Sequence, residues 1–150
     1  MAKRLNLGYD LFDTVMHARE IQAKNLALFL VDLSVMNNNM PIAIHGKAYK
    51  PNVEYIDGSY SLLVGHYCEA AGYVPTYIDP LTGDDFVPVE PGVFLLAHSA
   101  SITYEYTGKQ HTDNLYCEIP AGSVVVDPWR KFVSADSDIE VIHYGNTRQQ

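Results

Sequence analysis

Two cationic residues follow apolar segments that have the length of buried strands. Lys50 comes shortly after the apolar residues 42–45 and Gly46, and Arg130 follows the apolar run 123–126. Because parallel α/β sheets bind ligands at the carboxyl ends of their strands, both cations are predicted to lie at a ligand-binding edge. An ammonium or guanidinium group at that edge can neutralise a phosphate or diphosphate. These two side chains are therefore the candidate anion-binding residues.

Spacing alone leaves other interpretations of these residues open. Lys50 can be a solvated lysine of a surface loop, and Arg130 can be an exposed arginine paired with Asp127, which would contribute little to stability. Trp129, the only tryptophan of the chain, can stack on a base or pack at the rim of the core. The sequence therefore predicts a binding edge and leaves these alternatives open for each residue.

Other kinds of site have little support in the sequence. His66 and Cys68 fall two residues apart on a predicted helix, where they point to different faces, and the remaining histidine and cysteine spacings match no recognised zinc site. No Gly-x-Gly-x-x-Gly segment occurs, so a dinucleotide cradle is not expected. We predict no catalytic residue, no metal ligand and no cofactor-binding residue in this chain.

Charge and length limit the class of protein. The 150 residues carry a formal net charge of −8, which argues against a surface for nucleic acid or anionic membranes. The apolar runs are too short to span a bilayer, and the two cysteines form no disulfide framework. We therefore expect a protein of the reducing cytoplasm, with neither nucleic acid nor membrane as a partner.

Hydrophobic periodicity predicts the elements that position the two cations. A long helix is expected over residues 10–36, followed by a fold that alternates strands and helices. The predicted class is α/β: a small Rossmann-like, mostly parallel sheet with flanking helices, preceded by the long N-terminal helix (1–40) and occupying residues 41–150. Predicted strands are 42–45, 76–78, 93–97, 123–126 and an edge strand 139–143; a helix capped by Ser59 runs to residue 71, residues 81–92 form a loop, and a short helix is expected near 101–106.

The long helix also predicts a partner. At about 1.5 Å per residue, 26 residues extend roughly 39 Å, which is more than a small domain needs for its own core. Its apolar stripe suits the same helix of a second copy. We therefore expect a homodimer formed through the N-terminal helix.

The motif Gly46-Lys47-Ala48-Tyr49-Lys50, after its apolar strand, resembles the Gly-x-Ala-(Phe/Tyr)-Lys pattern of the UDP-glucose/GDP-mannose dehydrogenase family, at the start of the C-terminal nucleotide-binding domain. The segment ending in Asp127 and Arg130 resembles more loosely that family's Asp-Gly-Arg, and the long helix resembles the family's linking and dimerisation helix. The resemblance implies that Lys50 and Arg130 contact a nucleotide sugar, with a UDP-sugar favoured.

The same resemblance implies an incomplete enzyme. In the family, NAD is the oxidant and a cysteine in a Gly-Gly-x-Cys-type segment is the nucleophile; this chain has no such segment, and Asp57 stands where the family has a cofactor-facing arginine. The expected function is the nucleotide-sugar-binding portion of an NAD-dependent nucleotide-sugar 6-dehydrogenase, inactive alone, with an NAD-binding half that can be separately encoded. The alternatives are a non-catalytic dimerisation module of the same fold and, with less support, an independent dinucleotide-binding enzyme.

Overall fold

A computed structural model describes residues 2–51, 53–98, 101–104, 110–113, 115–134 and 137–145. Asn52, which follows the lysine motif, lies outside this part of the chain. The described residues form two α-helices and eight strands: α1 (Ala2–Met36), β1 (Ile42–His45), α2 (Tyr60–Ala70), β2 (Thr76–Asp79), β3 (Asp84–Asp85), β4 (Val93–Leu96), β5 (Ser101–Tyr104), β6 (Gln110–Asp113), β7 (Val124–Val126) and β8 (Glu140–Ile142).

Six strands form one sheet in the order β3-β2-β1-β4-β7-β8, and all of its pairs are parallel except β2 with β3. The chain builds β1 and then β2 on one side, and afterwards crosses back to add β4, β7 and β8 on the other side. The direction of winding therefore reverses between β1 and β4. This confirms the predicted α/β class with a mostly parallel, Rossmann-like sheet, and it places a topological switch point at the carboxyl ends of β1 and β4.

The central strands are short and almost wholly apolar because both faces of the sheet are covered. All four residues of β1 and all four of β4 are buried, as expected for parallel strands between two layers. One face carries Ile42, Ile44 and Leu95 against α1 and α2. The opposite face carries Ala43, Phe94, Leu96 and Val125, and it is covered by the irregular chain segments that contain Leu115, Tyr116, Ile119 and Phe132.

The prediction of a short helix at 101–106 is wrong. Residues Ser101–Tyr104 form β5, which pairs antiparallel with β6 outside the main sheet. The β-branched Ile102 and Thr103 and the aromatic Tyr104 favour a strand once a partner strand is available, and that partner follows only a few residues later. The remaining residues of the predicted helix, 105 and 106, lie outside the described part of the chain.

Two further boundaries refine the predictions. The segment 81–92, predicted as a loop, contains the end of a 3-10 turn (Pro80–Thr82) and the two-residue β3, but no crossover α-helix. Helix α1 begins at Ala2 instead of residue 10 and spans 35 residues, or about 52 Å at 1.5 Å per residue. Among the described residues, neither helix combines the length and the apolar character needed to cross a bilayer.

Helix α1 has two unlike portions. Ala23, Ala27 and Leu30 are fully buried against the domain. Toward the amino terminus, Leu11, Phe12 and Val15 are each more than half exposed. Only the second portion of the helix is therefore held by this chain's own core.

Candidate functional site

The turn after β1, residues 46–48, carries the motif that suggested phosphate binding, and we call it the glycine turn. Its amide groups are already occupied: the Asp79 carboxylate, at the end of β2, accepts the backbone N–H groups of Lys47 at 2.9 Å and Ala48 at 3.0 Å. The other oxygen of Asp79 accepts the N–H of Leu81 at 3.1 Å. A buried carboxylate therefore takes up the backbone N–H groups that a phosphate bound at this turn would need.

The glycine turn is also packed from its other sides. Gly46 has φ +100°, and a Cβ added there would lie 2.3 Å from Cγ of His98. The hydroxyls of Ser59 and Ser61 donate to the carbonyls of Lys47 and Gly46, each at 2.6 Å. Ser59, predicted as a helix cap, does occupy the N-cap position of α2, but its hydroxyl bonds this turn and makes no capping bond. The glycine turn therefore offers no dinucleotide cradle.

The motif lysine lies beyond this turn. Lys50 is exposed, and it is not among the residues that line the larger cleft described below. Lys47 instead reaches across to β3, with its Nζ 3.3 Å from Oδ2 of Asp84 and 5.2 Å from the centre of the Tyr77 ring. The structure does not bring Lys50 together with Arg130 in one cavity.

A second aspartate organises the turn after β7, residues 127–130, which we call the arginine turn. Asp127 is fully buried, and its carboxylate accepts the backbone N–H groups of Trp129 at 2.9 Å and of Lys131 and Phe132 at 2.7 Å each. Arg130 adopts φ +62° at the tip, a left-handed conformation that costs a non-glycine residue about 1–2 kcal/mol. The three bonds to Asp127 maintain this conformation.

Arg130 and Trp129 open into a cleft of about 720 Å³ at the carboxyl ends of β4 and β7, which we call the aromatic cleft. This volume lies within the range of small-molecule sites. Among the residues that the structure describes, the lining combines aromatic rings, two side-chain amides and a single charged side chain, that of Arg130, and it includes no carboxylate. The lining residues are Gln22, Asn25, Leu26, Tyr60, Leu95, Leu96, Ala97, Pro128, Trp129, Arg130, Tyr144 and Gly145.

Three aromatic rings of the cleft are fixed by neighbours. The indole Nε1–H of Trp129 donates to the carbonyl of Leu96 at 2.9 Å, while half of the side chain remains exposed. The Tyr144 ring lies 5.0 Å from that of Phe29. Tyr60 lies under the guanidinium of Arg19, 5.6 Å from the ring centre, and burial raises the pKa of its phenol. A flat ligand would therefore meet rigid, preorganised aromatic surfaces beside one cation.

Two buried histidines lie under the opposite side of the switch point. The Tyr116 backbone N–H donates to Nε2 of His45 at 2.9 Å, and the two rings stack at 4.3 Å. Nε2 of His98 lies 2.9 Å from the Ala48 carbonyl and so donates to it, which leaves Nδ1 to accept from the Tyr116 hydroxyl at 2.8 Å. Burial, reinforced by repulsion from His98, lowers the pKa of His45 to about 4.

His45 is therefore a neutral packing group at ordinary pH. Its Nδ1 is buried and finds no hydrogen-bond partner among the described residues. Over the same part of the chain, no three histidine, cysteine, aspartate or glutamate side chains come close enough to hold a metal ion. Burial raises the pKa of each cysteine thiol, Cys68 and Cys117, to about 11, so neither is an activated nucleophile.

Sequence reasoning identified Arg130 and Trp129 but missed the other residues that build the cleft. The amides of α1 and the tyrosines Tyr60 and Tyr144 come from distant parts of the chain, and only the packing of α1 and α2 on the sheet brings them together. The anchoring role of Asp79 and Asp127 did have a signal, because each follows directly on the apolar residues of a predicted strand.

Comparisons of the whole chain with models of protein families, with curated proteins and with solved structures gave no match.

Proposed function

We propose that this chain binds a nucleotide sugar, with a UDP-sugar as the preferred class, in the aromatic cleft. One observation carries the proposal: in a chain of net charge −8, the described residues that line the cleft at the carboxyl edge of the sheet include Arg130 and no carboxylate. A guanidinium suits a diphosphate through paired hydrogen bonds. The Trp129, Tyr60 and Tyr144 rings suit the flat base and the apolar face of a sugar.

In this proposal the chain acts in the cytoplasm as the nucleotide-sugar-binding portion of an NAD-dependent nucleotide-sugar 6-dehydrogenase. The resemblance of residues 46–50 and 127–130 to that family supports this. NAD would bind to a separate half, because the carboxylate of Asp79 accepts the N–H groups of the glycine turn and would repel a phosphate there. The chain alone is then expected to reduce no NAD.

Calorimetric titration of the purified chain with UDP, UDP-glucose, GDP-mannose and NAD tests the proposal. We expect saturable binding of UDP-glucose and no binding of NAD. Arg130→Gln should weaken UDP-glucose binding at least tenfold, because hydrogen bonds to a charged group contribute about 1.5–3 kcal/mol. Lys131→Ala is the matched control, since its exposed side chain is not part of the cleft lining. A parent chain that binds none of the four ligands would overturn the proposal.

Lys50→Ala separates the motif from the cleft. If Lys50 reaches the diphosphate from its exposed position, as the family resemblance implies, this substitution should weaken binding as much as Arg130→Gln does. If the ligand is held by the aromatic cleft alone, affinity should stay within about twofold of the parent. Either result assigns the role of Lys50 independently of Arg130.

The exposed side chains of α1 favour a second function, dimerisation. Leu11 is 66% exposed and Val15 58%, and a spacing of four residues places them on one helix face. The same helix of a second copy would cover this face. Sedimentation velocity should show a dimer for the parent chain and a monomer for the Leu11→Ser, Val15→Ser double variant. A monomeric parent would contradict this proposal while leaving the cleft proposal unaffected.

A further inference from the structure

Helix α1 presents two amide side chains to the aromatic cleft. Gln22 and Asn25 both line it, together with Leu26 one residue further on. Residues three and four positions apart share one face of a helix, so the two amides point into the same space from the same wall. The structure therefore makes α1 a wall of the cleft as well as a linking element.

This wall is held in place before any ligand binds. Arg19, one turn before Gln22, donates from Nη2 to the carbonyl of Gly58 at 2.7 Å, which joins α1 to the start of α2. On the other side of the amides, Ala23, Ala27 and Leu30 are fully buried. Because the helix backbone is already in position, binding has to order only the two exposed amide side chains themselves.

The chemistry of the walls divides the cleft. Arg130 supplies the cation on the side of the arginine turn, whereas α1 supplies neutral groups that both donate and accept hydrogen bonds. Amides suit sugar hydroxyls or the polar edge of a base and have no charge to offer a phosphate. Resting on the proposed function, we infer that Gln22 and Asn25 select a neutral, hydrogen-bonding part of the nucleotide sugar, either its base or its hexose. Arg130 holds the diphosphate.

Affinities for UDP-glucose, UDP and inorganic pyrophosphate test this division. Gln22→Ala and Asn25→Ala should each weaken UDP-glucose binding about fivefold, the equivalent of one hydrogen bond of about 1 kcal/mol, and leave pyrophosphate binding unchanged. Arg130→Gln should weaken all three ligands. Lys24→Ala is the matched control because its exposed side chain lies on α1 but does not line the cleft. Far-ultraviolet circular dichroism of each variant checks that α1 remains helical.

The outcomes distinguish the inference from the function on which it rests. If the parent chain binds UDP-glucose and both alanine variants bind it equally well, α1 does not read the ligand and the inference is overturned, although the proposed function stands. If the parent binds nothing, the proposed function itself fails. A larger loss for UDP-glucose than for UDP supports contact with the hexose, and an equal loss for both ligands supports contact with the base.

Discussion

In both the glycine turn after β1 and the arginine turn after β7, a buried aspartate carboxylate accepts backbone N–H groups. Asp79 anchors the first turn from the neighbouring strand, and Asp127 anchors the second from the end of its own strand. The first turn is closed by His98 and two serine hydroxyls, whereas the second presents Arg130 and Trp129 to a cleft. The same anchoring device can thus fill a site or build one.

The difference lies in what the anchored amides surround. At the glycine turn the carboxylate of Asp79 accepts the N–H groups that a phosphate bound there would need, and no described residue of this turn lines the aromatic cleft. At the arginine turn the carboxylate of Asp127 is also buried, but the exposed residues Trp129 and Arg130 line the cleft. The proposed anion site therefore depends on Arg130 of the arginine turn and not on the glycine turn.

The largest loss of stability is expected from Gly46→Ala, which tests how tightly the glycine turn is packed. The methyl group would meet the His98 ring at 2.3 Å in a backbone with φ +100°, so strain and overpacking together should cost about 4–5 kcal/mol of unfolding free energy. Gly83→Ala is the control, because Gly83 also has positive φ but open space around it; it should cost about 1 kcal/mol. Urea unfolding of both variants measures the difference, and equal losses would show that the packing at His98 is not tight.

Replacement of the two anchoring aspartates, Asp127 and Asp79, should affect ligand binding differently at the two turns. Asp127→Ala leaves three backbone N–H groups without their acceptor and should cost about 3–4 kcal/mol, and it should also abolish ligand binding because Arg130 loses its conformation. Asp79→Ala should cost a similar amount of stability. Where enough folded protein remains, however, its affinity for UDP-glucose should stay near that of the parent. Loss of binding in both variants would contradict the idea that only the arginine turn contributes to the binding site.

Low pH should lower the free energy of unfolding through His45, the residue before the glycine turn. Because burial lowers the pKa of His45 from 6.5 to about 4, the unfolded chain takes up a proton at higher pH than the folded chain does. The contribution of neutral His45 is therefore complete above about pH 6.5 and declines as the pH falls to about 4, by up to about 3 kcal/mol. Urea unfolding between pH 7 and 4 should show this decline, and His45→Gln should show a smaller one. An unchanged slope in the variant would assign the acid sensitivity to other groups.

The smallest loss of stability is expected for a substitution at the arginine turn. Trp129→Phe keeps an aromatic ring but removes the 2.9 Å hydrogen bond from Nε1 to the Leu96 carbonyl, which should cost about 1 kcal/mol of stability. Since the ring remains available for stacking, affinity for UDP-glucose should fall only a few fold. Trp129→Ala should lose much more affinity and also more stability, because the buried half of the ring is lost together with the hydrogen bond. Equal affinities for the two variants would remove this ring from the proposed site.

The sequence predicted those features that depend on local pattern. All five parallel strands and α2 were predicted within a residue or two, because apolar runs between turn residues identify buried strands. The antiparallel pair of β5 and β6 was missed because its stability comes from pairing, which a single segment does not reveal. The occupation of the glycine turn by Asp79 was also missed, since it depends on two residues with a sequence separation of 32, Lys47 and Asp79, coming together beside β1.

Only some of the residues that line the cleft could be predicted from the sequence, for a related reason. Arg130 and Trp129 follow a recognisable strand, but Gln22 and Asn25 lie on a helix whose pattern indicates only which residues pack inward. Their role depends on how α1 crosses the end of the sheet. The helix therefore seemed a separate linking segment, although its second half contributes to the same cleft as the arginine turn.

The uneven burial of α1 has a consequence for how the helix opens. Its inner portion shares the cooperative unfolding of the domain, so amide hydrogens near Ala27 and Leu30 should exchange with solvent only when the whole protein unfolds. In a monomer, the outer portion near Phe12 would lack tertiary support and should fray, with rapid exchange. Exchange rates read along this single helix would thus report two quantities in one experiment: the global stability from the inner turns, and the degree of self-association from the outer ones.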